Sequence, residues 1–440
     1  NPTGSFNTAV GSGALYSNTE ASYNTATGYG ALNANGSGGC PFAGATPDLC
    51  SYANTATGYE ALYSNLGGIQ NTAVGAQALF SNTTTQISTE GTEGASGDFN
   101  TALGFQSLYS NVMGSYNTAV GWQALYSNTL TFNPQNGEAS YGQLNTAVGN
   151  QALFANTTGD NNTAVGYQAL LGSSPGTGSY NTALGEYALW GTSTGSYNTG
   201  LGQDALDNNT TGNYNTASGA FALYDGKTGL RNTATGYGAL FHTAGSSNTA
   251  LGFEAGYNLT TGSNNIEISN LGVAGDTGTI RIGVQGTQTL TYVAGIYGHP
   301  LTGSAVVVTS SGELGVVTSS ERFKTAISPM GSDTAKLGLL RPVTFKLKTD
   351  STGTRQYGLI AEEVAKVYPE LVIRNEAGRI DGVRYDELAP MLLNELQKQA
   401  AEIRRLKAQA RVIAGLQKQL ADMHTVLAKL QSKDELVAER

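Results

Sequence analysis

Small apolar and polar residues alternate in one short phrase that returns along most of the first 265 residues. YNTAVGWQALYSNT begins at Tyr116, FNTAVGSGALYSNT at Phe6, YNTATGYGALNAN at Tyr23 and YNTALGEYALW at Tyr180. The Asn-Thr pair starts at 7, 24, 54, 71, 100, 117, 145, 162, 181, 198, 215, 232 and 248, and a degenerate Asn265-Ile266 closes the series. The unit is 17 residues, and four intervals are longer, by 13, 12, 11 and 2 residues, each of them every second interval. A fixed period of this kind signals a repeat architecture. The unit reads N-T-A-(V/L/T)-G-x-x-A-L-(aromatic)-x-N-T-T-G, which suits one coil of a parallel β-solenoid. Ala9, Val10, Ala14 and Leu15 are expected inside a narrow core. Gly11 and its equivalents Gly28, Gly58, Gly75, Gly104 and Gly121 fall at one corner, where positive φ or close backbone approach favours Gly. Stacked Asn side chains are expected to form a hydrogen-bonded ladder along the axis. A helical repeat is the rival reading, since G-x-x-A-L-x-x-N spans one helical turn, but Gly, Asn and Thr at this density disfavour long helices.

The alternating insertions have a steric reading. Neighbouring coils lie roughly 4.8 Å apart, too close for two long loops to leave one corner side by side. Loops around Cys40, Thr89 and Pro134 are therefore expected in a row on one face.

After Ile266 the pattern changes. Residues 266–318 alternate apolar and polar positions between Gly-rich turns and read as a β-rich connector. Residues 319–386 read as a small α+β domain: a helix around Thr334–Leu340, a strand in VTFKLK, strand and short helix in YGLIAEEVAKV ending near Pro369, and a hairpin turning at Asn375 to Gly378. Residues 387–440 read as a long helix. Leu392, Leu396, Ile403, Leu406, Ala410 and Ile413 keep 3/4 spacing, which Leu416, Leu420, Met423, Leu427 and Leu430 resume after a three-residue slip. Sustained heptads with charged residues outside the seam point to a coiled coil, and the slip predicts overwinding near Ile413. A single amphipathic helix folded onto its own domain is the alternative. The fold class is thus mainly β: a shaft over 1–265, connector, small α+β domain and C-terminal trimeric coiled coil.

Charge divides the chain in the same way. Residues 1–265 hold two basic residues, Lys227 and Arg231, against thirteen acidic ones, while 266–440 hold the other 21 basic and 19 acidic residues of a chain whose net charge is −9. A shaft so poor in positive charge offers nothing for neutralising phosphates, so neither nucleic acid nor an anionic membrane is an expected partner. No apolar run reaches the roughly 18 residues of a spanning helix, and no signal peptide is visible. Cys40 and Cys50, the only cysteines, bracket CPFAGATPDLC in the longest insertion. They read as a local disulfide and an oxidising, extracellular location, with two reduced loop thiols as the alternative. Phe42, Phe132 and Tyr141 sit in inserted loops and are candidates for stacking on a cell-surface glycan or a protein receptor.

Chemistry is sparse. His242, His299 and His424 are far apart, and no metal-ligand cluster, Walker loop or dinucleotide fingerprint occurs, so no metal and no cofactor is expected. Asn82-Thr83-Thr84 and Asn156-Thr157-Thr158 match glycosylation sequons as by-products of the repeat. Asp204 and Asp207 are close in sequence but replace outward repeat positions, which speaks against the paired carboxylates of a glycan-cleaving site. One stretch stands apart, TSSERFKTAI from Thr318. Serine needs a nearby base to become a nucleophile, and a desolvated lysine supplies one, so Ser319 and Lys324 form a candidate dyad.

Residues 319–430 resemble the C-terminal intramolecular chaperone domain of phage tail spikes and fibres and of bacterial fibre proteins, the peptidase S74 family. SSERFKTAI, LRPVTFK, QYGLIAEEV, VRYDEL and the terminal heptads carry the resemblance. It implies a homotrimer whose domain templates folding of the preceding fibre and then cuts itself off between Thr318 and Ser319 with Lys324 assisting. This would be a single turnover, with no external substrate. Ser320 departs from the Asp that the family often carries. The repeats are more loosely similar to the β-roll heads of trimeric autotransporter adhesins. The expected protein is a homotrimeric extracellular fibre or adhesin, on a virion tail or bacterial surface. A purely structural filament with an uncleaved cap and a glycan-cleaving spike are the alternatives.

Overall fold

A three-residue strand buries little and makes few bonds, so Thr-Ala-(Val/Leu/Thr) is stable only when stacked on copies of itself. The computed structural model describes residues 4–36, 51–83, 97–129, 131–132, 139–140, 142–173, 176–294, 296, 305–309, 311–375 and 377–438. The chain divides into two compact units, 1–291 and 292–440.

In the first unit fifteen strands join in chain order into one sheet, from Thr8–Val10 to Ile280–Ile282. Pairing is parallel, with Thr on Thr and Ala on Ala. Thr118 pairs Thr146 in the same register although 28 residues separate them. The sheet runs on past residue 265 through Ile266–Ile268 and Ile280–Ile282. Among the described residues the first unit contains no α-helix, so the repeat is a solenoid and the helical rival falls.

The core is two files of alanine, such as Ala119 and Ala124, and one file of leucine, such as Leu125. The Val10 position is a correction to the expected core. Successive strand residues point to opposite faces, so with Ala119 buried at the strand centre its neighbours turn outward, while Ala9, at the same place in the first strand, is itself exposed. Val10 is 57% exposed and Leu184 51% exposed.

Each coil closes through backbone in the left-handed region. Gly121 has φ +136°, and a Cβ there would lie far inside van der Waals contact of the Gly149 carbonyl. Tyr116, Gln123 and Leu125 also have φ of 60°, 52° and 53°. Such conformations are unfavourable for residues with a Cβ. Hydrogen bonding between coils holds them in place: Tyr116 N–H donates to Asp98 O at 2.9 Å, Gln123 N–H to Phe105 O at 2.9 Å and Leu125 N–H to Ala152 O at 2.9 Å.

In the second unit, hairpins Val306–Val308 with Leu314–Val316, Val343–Phe345 with Gln356–Gly358, and Val372–Arg374 with Ile380–Val383 accompany the helix Ala361–Val367. Val364, Tyr368, Leu371, Val372, Val383 and Leu388 form its core. The helix Tyr385–Ala438 follows, continuous through Ile413. The helix expected over 334–340 is instead a turn and a short 3-10 segment at Leu337–Leu339. Gly338 lies inside that stretch. The Thr334 hydroxyl is held by Asn394 at 2.6 Å and Lys398 at 3.0 Å and donates to Glu395 at 3.1 Å, which ties the turn to the long helix.

Candidate functional site

The Ser319–Lys324 pair is built by a tight turn. Glu321–Phe323 forms one turn of 3-10 helix, with Phe323 N–H donating to Ser320 O at 3.0 Å and Lys324 N–H to Glu321 O at 2.9 Å. The turn carries Lys324 back so that its Nζ lies 3.1 Å from Ser319 Oγ, in hydrogen-bonding contact. Arg322 lies over the Phe323 ring at 4.6 Å. Thr318, Ser319 and Lys324 are exposed in the single chain. A lysine acts as base only when neutral, and burial is what favours the neutral form. The geometry brings nucleophile and amine together while leaving both in water.

Of the other candidates, Cys40, Phe42, Cys50 and Tyr141 lie outside the described residues, as do Thr89 and Pro134 and with them the expected row of loops. Phe132 belongs to a two-residue strand, Thr131–Phe132, paired antiparallel with Ala139–Ser140.

The insertions leave from a defined place in the coil. In short coils a buried Asn donates to a carbonyl three residues on: Asn65 to Gly68 at 2.8 Å and Asn111 to Gly114 at 2.8 Å. In coils with an insertion the same bond closes around it, from Asn35 to Ser51 at 3.2 Å and Asn82 to Gly97 at 2.8 Å. These asparagines also form a ladder: Asn82 Nδ2 donates to Asn65 Oδ1, Asn111 to Asn82 and Asn128 to Asn111, at 2.7–2.8 Å. Asn82 and Asn156, the Asn of the two sequons, are buried in this clamp in the folded chain.

A second ladder uses the Asn of each Asn-Thr pair, as in Asn117 N–H to Asn100 Oδ1 at 3.0 Å and Asn145 N–H to Asn117 Oδ1 at 2.9 Å. Sequence reading missed several further files. Ser and Asp two residues before that Asn accept backbone N–H groups from the coil before, as Asp98 does from Ile69 and Ser115 from Asp98. Glu60 and five glutamines through Gln168 link side chain to side chain. Tyr63, Phe80, Tyr109, Tyr126 and Phe154 stack with centroids 5.0–5.3 Å apart. Each file was legible as an identity repeated at the unit spacing.

Two carboxylates depart from these files. Asp207 replaces the aromatic of that last file and, contrary to the outward placement expected for it, is only 8% exposed. Burial, then the charges of Asp204 and Asp225, push its carboxyl up to about 6. Glu267 stands where other coils place the inward Ala, paired with Ala250 on one side and Arg281 on the other. Both its carboxylate oxygens are buried without a hydrogen-bond partner. Burial and Asp276 raise it to about 7, against a smaller opposing effect of Arg281. Arg281 is engaged by Asp276, at 2.6 and 2.9 Å. Among the described residues no cluster fit to hold a metal ion occurs, and no helix is long and apolar enough to cross a membrane.

These features define a repeat protein with a parallel β-solenoid in one unit and, in the other, a small α+β domain running into a long helix. Within the second unit, residues 319–373 match the family model of peptidase S74, described as the chaperone of endosialidase. No curated protein and no solved structure matches the chain.

Proposed function

We propose that the chain is one subunit of a homotrimeric extracellular fibre or adhesin of the tail-fibre type, whose C-terminal domain acts as an intramolecular trimerisation chaperone. The observation that carries this reading is the seam of the long helix. Leu392, Leu396, Ile403, Leu406, Ile413, Leu416, Leu420, Met423 and Leu427 are all exposed in the single chain. An apolar stripe of that length is a liability in water and an interface once copies join. The family match at residues 319–373 supports a chaperone role for the domain that leads into it.

The repeats give such a chaperone a task. Most coils present the same Thr-Ala register, so a strand can pair with many wrong partners. Sheets built from distant pairings form slowly and expose edges while they do. A C-terminal domain that holds three chains together reduces the search. The Ser319–Lys324 contact further supports autocleavage before Ser319 once the domain's task is complete. Receptor contact is assigned to the inserted loops with Phe42, Phe132 and Tyr141, and a Cys40–Cys50 disulfide would brace the longest of them.

Sedimentation of the folded protein at low micromolar concentration tests the assembly. A mass about three times that of the chain, or of its two pieces together, is expected. A well-folded monomer would sink both the coiled-coil and the chaperone readings.

A further inference from the structure

The second unit contains an apolar cavity of about 510 Å³, lined among others by Leu337, Leu340, Val343, Tyr357, Leu388 and Leu392. Nothing from residues 317–329 lines it. That segment is itself without a buried side chain: Phe323 is 59% exposed and Ile327 64%. The unit therefore carries an apolar cavity and, separately, two exposed apolar side chains, Phe323 and Ile327, on an otherwise polar turn.

We infer that the cavity of one copy receives the Phe323–Ile327 segment of a second copy of this chain. Two observations choose that occupant. Leu392 lines the cavity and also opens the helical seam, so copies joined along the seam meet at the cavity wall. The lining is apolar, and Phe323 sits in the turn between Ser319 and Lys324. Insertion of its ring would draw the Ser319–Lys324 pair out of water and against the neighbouring copy. Assembly would then create the burial that favours a neutral lysine, and a lone chain would keep the pair solvated. This inference rests on the trimer reading above and adds to it the surface that couples assembly to the dyad.

Cross-linking in the full chain tests it. A background of Cys40→Ser, Cys50→Ser and Ser319→Ala removes the native thiols and keeps the chain uncut. Thr325→Cys and Tyr357→Cys, both at exposed positions, are placed in separate chains that are folded together. Oxidation should join the two kinds of chain, and adding Phe323→Asp should reduce that product at least tenfold while sedimentation still reports a trimer. A trimer with no product, or a product indifferent to Phe323→Asp, overturns the docking and leaves the trimer standing. With both cysteines placed in one chain instead, a bond that forms only within that chain also overturns it. A folded monomer overturns docking and trimer together.

Discussion

Asn128 donates from Nδ2 to the carbonyl of Gly142 at 2.8 Å across fourteen residues, the bond that Asn111 makes to Gly114 at 2.8 Å across three. One clamp thus closes the coil whatever lies between its ends, which is why Thr118 and Thr146 stay in register across the insertion. Insertions are tolerated where their ends are already fixed, since each doubling of loop length costs only about 0.6 kcal/mol. Removing residues 130–140 should leave the thermal unfolding midpoint within a few degrees. Asn128→Ala in the intact chain deletes the clamp and its rungs to Asn111 and Asn156, and should cost about 1–3 kcal/mol. Trimming all three insertions should also abolish surface binding with the trimer intact. Undiminished binding by the trimmed protein would remove the loops from the receptor site.

The corner glycine is a separate test of the solenoid. Gly121→Ala adds a methyl group against the Gly149 carbonyl at φ +136°. A clash with backbone combined with left-handed strain should cost at least about 3 kcal/mol. Val120→Ala one residue earlier, on the outward face, should cost under about 1 kcal/mol. Chemical denaturation of the two variants side by side decides it, and equal midpoints would mean that the corner is not held as described.

The period, the corner glycine and the Asn ladder were legible because each is a chemical requirement written into every coil. Gly121 must be Gly, and Asn117 must both donate and accept. The outward Val was misread because a three-residue strand has one inward position, and hydropathy alone does not say whether Ala119 or Val120 takes it. The left-handed Leu125 was invisible, since leucine carries no signature of positive φ; only the bond from its N–H to Ala152 explains it. The missed 334–340 segment lost its helix to Gly338 and to the Thr334 hydroxyl, whose partners lie some sixty residues away. Ser319 and Lys324 were singled out by the family resemblance of the residues around them, since a Ser and a Lys five apart carry little signal alone; the fold brings the two into contact. Glu267 was overlooked because only the register of Ile266–Ile268 on Thr249–Leu251 turns it inward.

That register makes stability depend on pH. Glu267 has its carboxyl raised from 4.5 to about 7 in the folded chain, so between those values the unfolded chain ionises while the folded one stays neutral. Stability is therefore greatest below pH 4.5 as far as this group is concerned, and falls as pH rises to about 7. The full loss is about 3 kcal/mol at 1.36 kcal/mol per unit. Asp207, raised from 3.8 to about 6, acts in the same direction. Glu267→Gln should flatten the part of the profile between pH 5 and 7 when unfolding midpoints are measured across it. A wild-type midpoint that rises with pH over that range would contradict the assignment.

Cleavage before Ser319 is the most discriminating outcome. The reaction needs Lys324 Nζ to take the proton of Ser319 Oγ, which lies 3.1 Å away, while Oγ attacks the carbonyl carbon of Thr318. The Thr318–Ser319 C–N bond then breaks as the proton passes to the Ser319 nitrogen. Water hydrolyses the resulting ester, leaving Thr318 with a free carboxylate and Ser319 with its hydroxyl and a new amino terminus. The freshly folded trimer should run on denaturing gels as two pieces, 1–318 and 319–440, with intact masses that sum to the chain plus one water. Ser319→Ala removes the nucleophile and Lys324→Ala the base. Both side chains are exposed and lie outside the helical seam, so both variants should stay whole and sediment as trimers. A monomeric Lys324→Ala variant would show that the lysine serves assembly instead. A wild-type chain that remains one band at every time point, in a trimer confirmed by sedimentation, ends the protease role and leaves the chaperone role intact.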